Sequence, residues 1–271
     1  MRTFLPPILV FVLATLLAEG LVRGGVVRDY LFPAPSQVAR ALGAHRAELS
    51  KKAVDTATAA VVGFALSSAF GMVAAIVLSS GGWVQRAFYP YAVFFQTVPI
   101  IAVAPLLVIW FSFDIKAVIA SSFIVSIFPV IANTLSGLLS TDPALRDLFR
   151  LYGAGRFSSL IKLRLPFALP SILTGLRIAA GLAVIGAIVG EFITGAGLGG
   201  LIQVARQQQA VDKVFAALLL SALLGVALFG LVNLISRFAL RHWHASEKSN
   251  ETPTPRRGFA VVVRDRLQPR R

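Results

Sequence analysis

The residues that could do chemistry in this chain are sparse. The longest interior stretch that is both charged and rich in start-and-stop signals is 142–170, DPALRDLFRLYGAGRFSSLIKLRLPFALP. Asp142 can accept hydrogen bonds from the free N–H groups of a helix start. Pro143 then stands at the first helical position, where its missing N–H costs nothing. Leu145, Leu148, Phe149 and Tyr152 recur at i, i+3, i+4 and i+7, which makes one apolar face, and Arg146, Asp147 and Arg150 fall off it. Gly153 and Gly155 supply the stop. A second short apolar and basic piece runs to Leu165-Pro166. The chemistry this pattern allows is docking: a helix with a greasy side and a basic side, between apolar runs, built to touch something other than lipid.

The other candidates lie within or beside those apolar runs: Gln96 and Thr97 with Pro99 just beyond, then Asn133 and Glu191. Polar groups at such depth either bridge helices by hydrogen bonds or line a path for a solute, and both readings stay open. Glu191 can also sit in water at the outer interface. Catalysis is a poor fit. No Gly-x-x-x-x-Gly-Lys-Ser/Thr loop exists to grip phosphates, so ATP hydrolysis has to come from another chain. The chain has no cysteine, and His45, His242 and His244 lie outside the apolar runs, so no metal cluster is expected. GAGLGG at 195–200 follows an apolar span and not a strand, which excludes a dinucleotide loop.

The elements that must position these residues are membrane helices. Hydrophobic residues make up 56% of the chain and charged residues only 14%, with mean hydropathy +0.78, which is the balance of a polytopic membrane protein. Spans are expected at 4–22, 54–78, 87–113, 116–139, 171–193 and 214–234. Glu19 near the end of the first reaches the interface. Ser36 is expected to cap an amphipathic helix carrying Val38, Leu42 and His45 along the membrane surface. The second span is rich in Ala, Gly and Ser and reads as a packing helix. Pro90, Pro99 and Pro105 interrupt the third, which is either a kinked helix packed by its neighbours or a broken helix lining a path. Residues 1–53 form a first span and outer amphipathic segment, 54–243 a core of five spans, and 244–271 a basic, disordered tail.

The net charge of +14 marks membrane-flanking loops and the tail, not a nucleic-acid site. With both termini inside, sixteen Lys and Arg fall in inner segments and nine in outer ones. Both termini and the 142–170 stretch are therefore expected in the cytoplasm.

The 142–170 stretch resembles the cytoplasmic signature of permease subunits in bacterial ABC importers. That signature reads Glu-Ala-Ala, three residues, Gly, nine residues, Ile, one residue, Leu-Pro. Here Asp147-Leu148-Phe149 stand at the opening triplet, Gly153 follows after three with Ala154 behind it, Leu163 takes the Ile position, and Leu165-Pro166 match outright. The spacing is intact, while Leu148 and Phe149 are larger than Ala. FPAPSQV at 32–38, TVPIIAVAPLLVIWF at 97–111, ALPSILTGLRIA at 168–179 and GEFITGAGLGGLI at 190–202 are similar to the importer branch for nitrate, sulfonate and taurine. QTVPIIAVAPLLVIWF at 96–111 and FPVIANTLSGL at 128–138 are at least as similar to permeases for thiamine pyrimidine precursors and riboflavin-like compounds.

The resemblance implies an all-α membrane protein of the type I ABC importer permease fold, with about six transmembrane helices and a coupling helix at 142–166 between spans four and five. It implies a bacterial inner-membrane subunit that acts as a homodimer. Two ATP-binding cassette subunits would hold ATP and Mg²⁺, leaving no cofactor in this chain, and a periplasmic or lipid-anchored solute-binding protein would deliver the solute. Asp147, Leu148, Phe149, Gly153, Ala154, Leu163, Leu165 and Pro166 would couple the ATPase to the spans, and Gln96, Thr97, Pro99, Asn133 and Glu191 would face the pathway. The alternatives are an ion-coupled secondary transporter, which would normally show internal repeats and often several buried carboxylates, and a membrane scaffold, which would not need the proline-rich third span.

Overall fold

A computed structural model describes residues 5–240 of the 271, so the tail 244–271, His242 and His244 lie outside the described residues. The compact unit runs to Leu234; a second unit starts at Ile235. All regular structure among the described residues is helical: α1 Leu5–Arg23, α2 Pro35–Ala44, α3 Arg46–Leu78, α4 Gly82–Thr97, α5 Ile100–Phe111, α6 Ile115–Leu139, α7 Pro143–Leu151, α8 Arg156–Ser159, α9 Leu165–Thr194, α10 Gly197–Gln207 and α11 Val211–Leu240. Among the described residues, α3, α6, the run Arg156–Thr194 and α11 are each long and apolar enough to cross a membrane.

The core is a three-helix layer in which α6 and α9 lie side by side and α3 packs on both. Small residues make that approach possible. A Cβ on Gly71 would stand 2.9 Å from the Val130 side chain, and one on Gly186 would stand 2.8 Å from the Ser122 backbone. Lipid gives no hydrophobic reason for helices to associate, so close backbone contact and interhelical hydrogen bonds must do it. Ser121 donates to the Gly186 carbonyl at 2.8 Å and Ser122 to that of Ala183 at 2.9 Å. Ser126 donates across to Ser67 of α3 at 2.9 Å. Ala59, Ala60, Val118, Ala180 and Ala187 fill the space between these helices, and Leu228 and Val232 of α11 close one side. The expectation that the second span packs through small residues holds, although the helix begins at Arg46, eight residues earlier than expected, so the boundary at 53/54 falls inside it.

The third expected span is two helices. α4 ends at Thr97, and Val98 and Pro99 are extended, with ψ 122 and 118, before α5 begins. The ring of Pro99 disfavours helical geometry at the residue before it, and Val98 takes the extended form, whereas Pro90 and Pro105 are carried inside their helices. The third span is therefore broken between α4 and α5 and not merely kinked. α5 packs Leu107 and Val108 against Ala117 of α6.

The amphipathic helix α2 departs from expectation in two ways. Its N-cap is Ala34, not Ser36. The Gln37 side chain accepts the Ala34 N–H at 2.8 Å, and Ser36 instead donates its N–H and hydroxyl to Glu19 at 3.0 and 2.7 Å. Glu19 thus ties α1 to α2. The apolar face of α2 is also not laid on lipid: Val38, Ala41 and Leu42 pack with Leu198, Leu201 and Ala216. Phe32 meets the Phe215 ring edge-on at 5.1 Å. Amphipathicity says that a face will be covered, and here α10 and α11 cover it.

Candidate coupling site and pathway residues

Helix α7 forms from local signals alone. The Asp142 carboxylate accepts the Ala144 N–H at 2.8 Å, and Pro143 takes the first turn. The helix stops where Gly153 turns left-handed at φ +71, a conformation that costs a side chain with a Cβ about 1–2 kcal/mol. In that turn the N–H groups of Gly153 and Ala154 return to the carbonyls of Arg150 and Phe149, both at 2.9 Å. The result is a nine-residue helix with no buried residue. Leu145 and Leu148 are exposed, Phe149 is half-buried, and Leu151 and Tyr152 are 85% and 84% exposed. Leu151 stands outside the apolar face that the periodicity picks out, yet it is among the barest apolar side chains here. Asp147 is exposed and 3.5 Å from Arg150.

The join from α7 to the next span is not broken at Leu165-Pro166, where a separate piece was expected to end. Arg156–Thr194 is one continuous 39-residue helix with a π-helical turn at Leu160–Arg164. The Leu165 N–H reaches back five residues to the Leu160 carbonyl. Pro166 has no N–H to give, and a widened turn just before it lets the helix pass without a clash. Leu163 lies in that turn, half-buried. Leu165 packs beside Leu138, Ala168 and Ile172. The turn after α7 is therefore joined to a span that runs without interruption toward α10.

The pathway candidates fall on different elements: the α4–α5 break, α6 and α9. Gln96, Thr97 and Pro99 are exposed at the break between α4 and α5, and the Thr97 hydroxyl donates to the Phe94 carbonyl of its own helix at 2.8 Å. Asn133 lies in the α6–α9 seam, where it donates to the Pro129 carbonyl at 2.9 Å and a Cβ on Gly175 would press on it at 2.8 Å. Glu191 is only 1% exposed. Its carboxylate accepts the Gly199 N–H at 2.8 Å. The Leu198 N–H goes to Thr56 of α3 at 2.9 Å. Gly197, at φ +53, has no room for a Cβ because the Glu191 carboxylate fills that space. The glycine run at 195–200 is thus a turn wrapped on one acid, which fixes α10 against α9 and α3.

Two site residues were not legible in sequence. Arg146 donates to the Leu139 carbonyl, and Arg164 donates to the carbonyls of Leu138 and Ser79, each at 3.3 Å. Together they tie the 142–170 stretch to the ends of α3 and α6. Local spacing offers no signal for this, because the partners are backbone atoms up to 85 residues away.

Residues 67–241 match the family of binding-protein-dependent transport system inner membrane components. The chain belongs to that family. The permease is 34% identical over 236 residues to a probable ABC transporter permease of Haemophilus influenzae, covering 86% of this chain and 96% of that one. It is 35% identical over 242 residues to a formylaminopyrimidine transport permease of Halalkalibacterium halodurans, covering 87% and 95%. It is 31% identical over 220 residues to a putative aliphatic sulfonates transport permease of Escherichia coli, covering 80% and 84%. It is accordingly an inner-membrane permease subunit of an ABC transporter, with the type I importer permease fold, and its family is a membrane component rather than an enzyme. The ion-coupled alternative has no support in these relatives.

Proposed function

We propose that two copies of this permease form the pathway of an ATP-driven importer with both termini in the cytoplasm, and that α7 is the helix each copy presents to an ATP-binding subunit. ATP and Mg²⁺ bind in that subunit. Asp147, Leu148, Phe149, Gly153 and Ala154 make the docking surface. Leu163, Leu165 and Pro166 pass its motion into α9. Closure of the ATP-binding subunits on nucleotide drags α7, and the unbroken Arg156–Thr194 helix carries the pull across the membrane. Gln96, Thr97, Pro99, Asn133 and Glu191 act along or beside the path. The solute is a small molecule handed over by a periplasmic or lipid-anchored binding protein. The relatives named for formylaminopyrimidine and for aliphatic sulfonates mark the range: a pyrimidine precursor of thiamine or a related heterocycle, or a sulfonate-like anion.

The observation that carries this reading is the uncovered apolar surface of α7. Leu148, Leu151 and Tyr152 are exposed on a charged loop helix, where water makes an uncovered apolar face costly. The test is purification of the tagged chain in mild detergent with mass spectrometry of what accompanies it, for the native chain and for Gly153→Val. The native chain should bring down an ATPase in fixed proportion. The variant should insert normally and lose either that ATPase or the stimulation of its activity by solute. Normal solute-dependent ATPase and uptake in Gly153→Val sinks the role given to this segment.

A further inference from the structure

Behind α7 lies a cavity of about 700 Å³, walled by the turn between α3 and α4, the end of α6, and the start of the Arg156–Thr194 helix. Four arginines line it, Arg146, Arg150, Arg156 and Arg164, and none of its lining residues is acidic. The carboxylate paired with Arg150 is Asp147, at 3.5 Å with both side chains mostly exposed, so solvent screens it. Arg146 and Arg164 are close enough for their like charges to oppose one another. Each is held by backbone carbonyls, which orient a guanidinium without neutralising it. The Nε of Arg146 is buried without a hydrogen-bond partner. Gathering cations this way is costly unless an anion joins them, and planar guanidinium donors match phosphate oxygens in pairs.

We propose that this cavity holds the phosphodiester head group of an anionic phospholipid. Its walls are mixed in a way that suits a lipid better than a free anion. Ile76, Leu139, Phe157 and Leu160 share the lining with the arginines, and Leu139 and Phe157 are exposed. The site stands where α3 and α6 end and the span containing α9 begins, the level at which basic pockets between membrane helices meet head groups. The phosphate sits among the guanidinium groups, and the glycerol and first acyl carbons lie against the apolar wall. A free phosphate would leave that wall unused. Which leaflet supplies the lipid rests on the orientation proposed above; the chemistry of the site does not. The bound lipid would brace the turn after α7 against the end of α3, at the place where a pull on α7 enters the spans.

The test is native mass spectrometry of the full chain in detergent, with phosphatidylglycerol or phosphatidylcholine of the same acyl chains added. Phosphatidylglycerol should be retained in preference, and Arg156→Gln or Arg146→Gln should each weaken its retention about fivefold. Arg156 is exposed, so its variant keeps the test valid if removing Arg146 harms folding. Equal retention of the two lipids overturns the proposal. So does equal weakening by Arg206→Gln, which lies outside the cavity, or displacement of the lipid by inorganic phosphate alone, which would mark a free-anion site. Loss of the lipid whenever the ATP-binding subunits are bound would make the cavity a protein-docking pocket and also overturns it. A chain that retains phosphatidylglycerol but brings down no ATPase keeps this site and fails the coupling role, so the two proposals are read separately.

Discussion

The α6–α9 seam and helix α7 are neighbours in the chain and opposite in design. The seam is made of small residues. A Cβ on Gly186 would press on the Ser122 backbone, and the hydroxyls of Ser121 and Ser122 reach across to carbonyls of α9. α7 carries large apolar side chains, and none of its residues is buried. The difference follows from the solvent. Between helices in lipid, association comes from close packing and hydrogen bonds, so size is a liability at the contact. In water a bulky apolar face drives association by itself, so size is the asset. A seam of small residues marks a contact already made within the protein. A bare face of large ones is what the partner contact we propose for α7 requires.

The contrast breaks most sharply at Gly186. Gly186→Leu should lower the melting temperature in detergent or abolish the folded state, since overpacking costs about 1–3 kcal/mol and sometimes more; an unchanged melting temperature would show that the seam is not close-packed. The opposite pattern is expected at α7. The double variant Leu151→Ala with Tyr152→Ala should change stability by no more than about 0.5 kcal/mol. Its affinity for the ATP-binding subunit, measured by titration, should fall on the order of tenfold or more, as for anchors at an interface. A stability loss with unchanged affinity would turn α7 into an ordinary part of the fold. The smallest effect is expected at Ser126→Ala, which removes the bond to Ser67 and should cost about 0.6 kcal/mol. A cost several times larger in thermal unfolding would mean that hydroxyl bridges, not small-residue contact, hold the layer together.

Helix α7 was legible because its signals are local. Asp142, Pro143 and Gly153 set its ends through atoms within four residues. The span at 116–139 likewise lies within one residue of α6, because an apolar run of that length has few other fates. Proline marked the third span as interrupted, but the break fell at Val98-Pro99 and not at Pro90 or Pro105. Both of those prolines are carried inside their helices on exposed faces; a helix can lose one hydrogen bond and continue with a kink, so the presence of a proline does not say which one ends it. The same limit hid the continuity through Pro166, where a π-helical turn absorbs the proline.

By itself, then, the sequence determined a helical membrane chain, the ends of α7, and the spacing that marks its family. Only the tertiary structure decided what covers each face and what meets each polar group. It laid α2 on α10 and α11. It wrapped the glycine turn around Glu191. It also brought Arg146 and Arg164, eighteen positions apart in the numbering, to the wall of one cavity. Helix starts, stops and periods arise from forces that act within a turn or two of the chain. Burial and charge gathering depend on which distant segments arrive beside them, and no local pattern encodes that arrival.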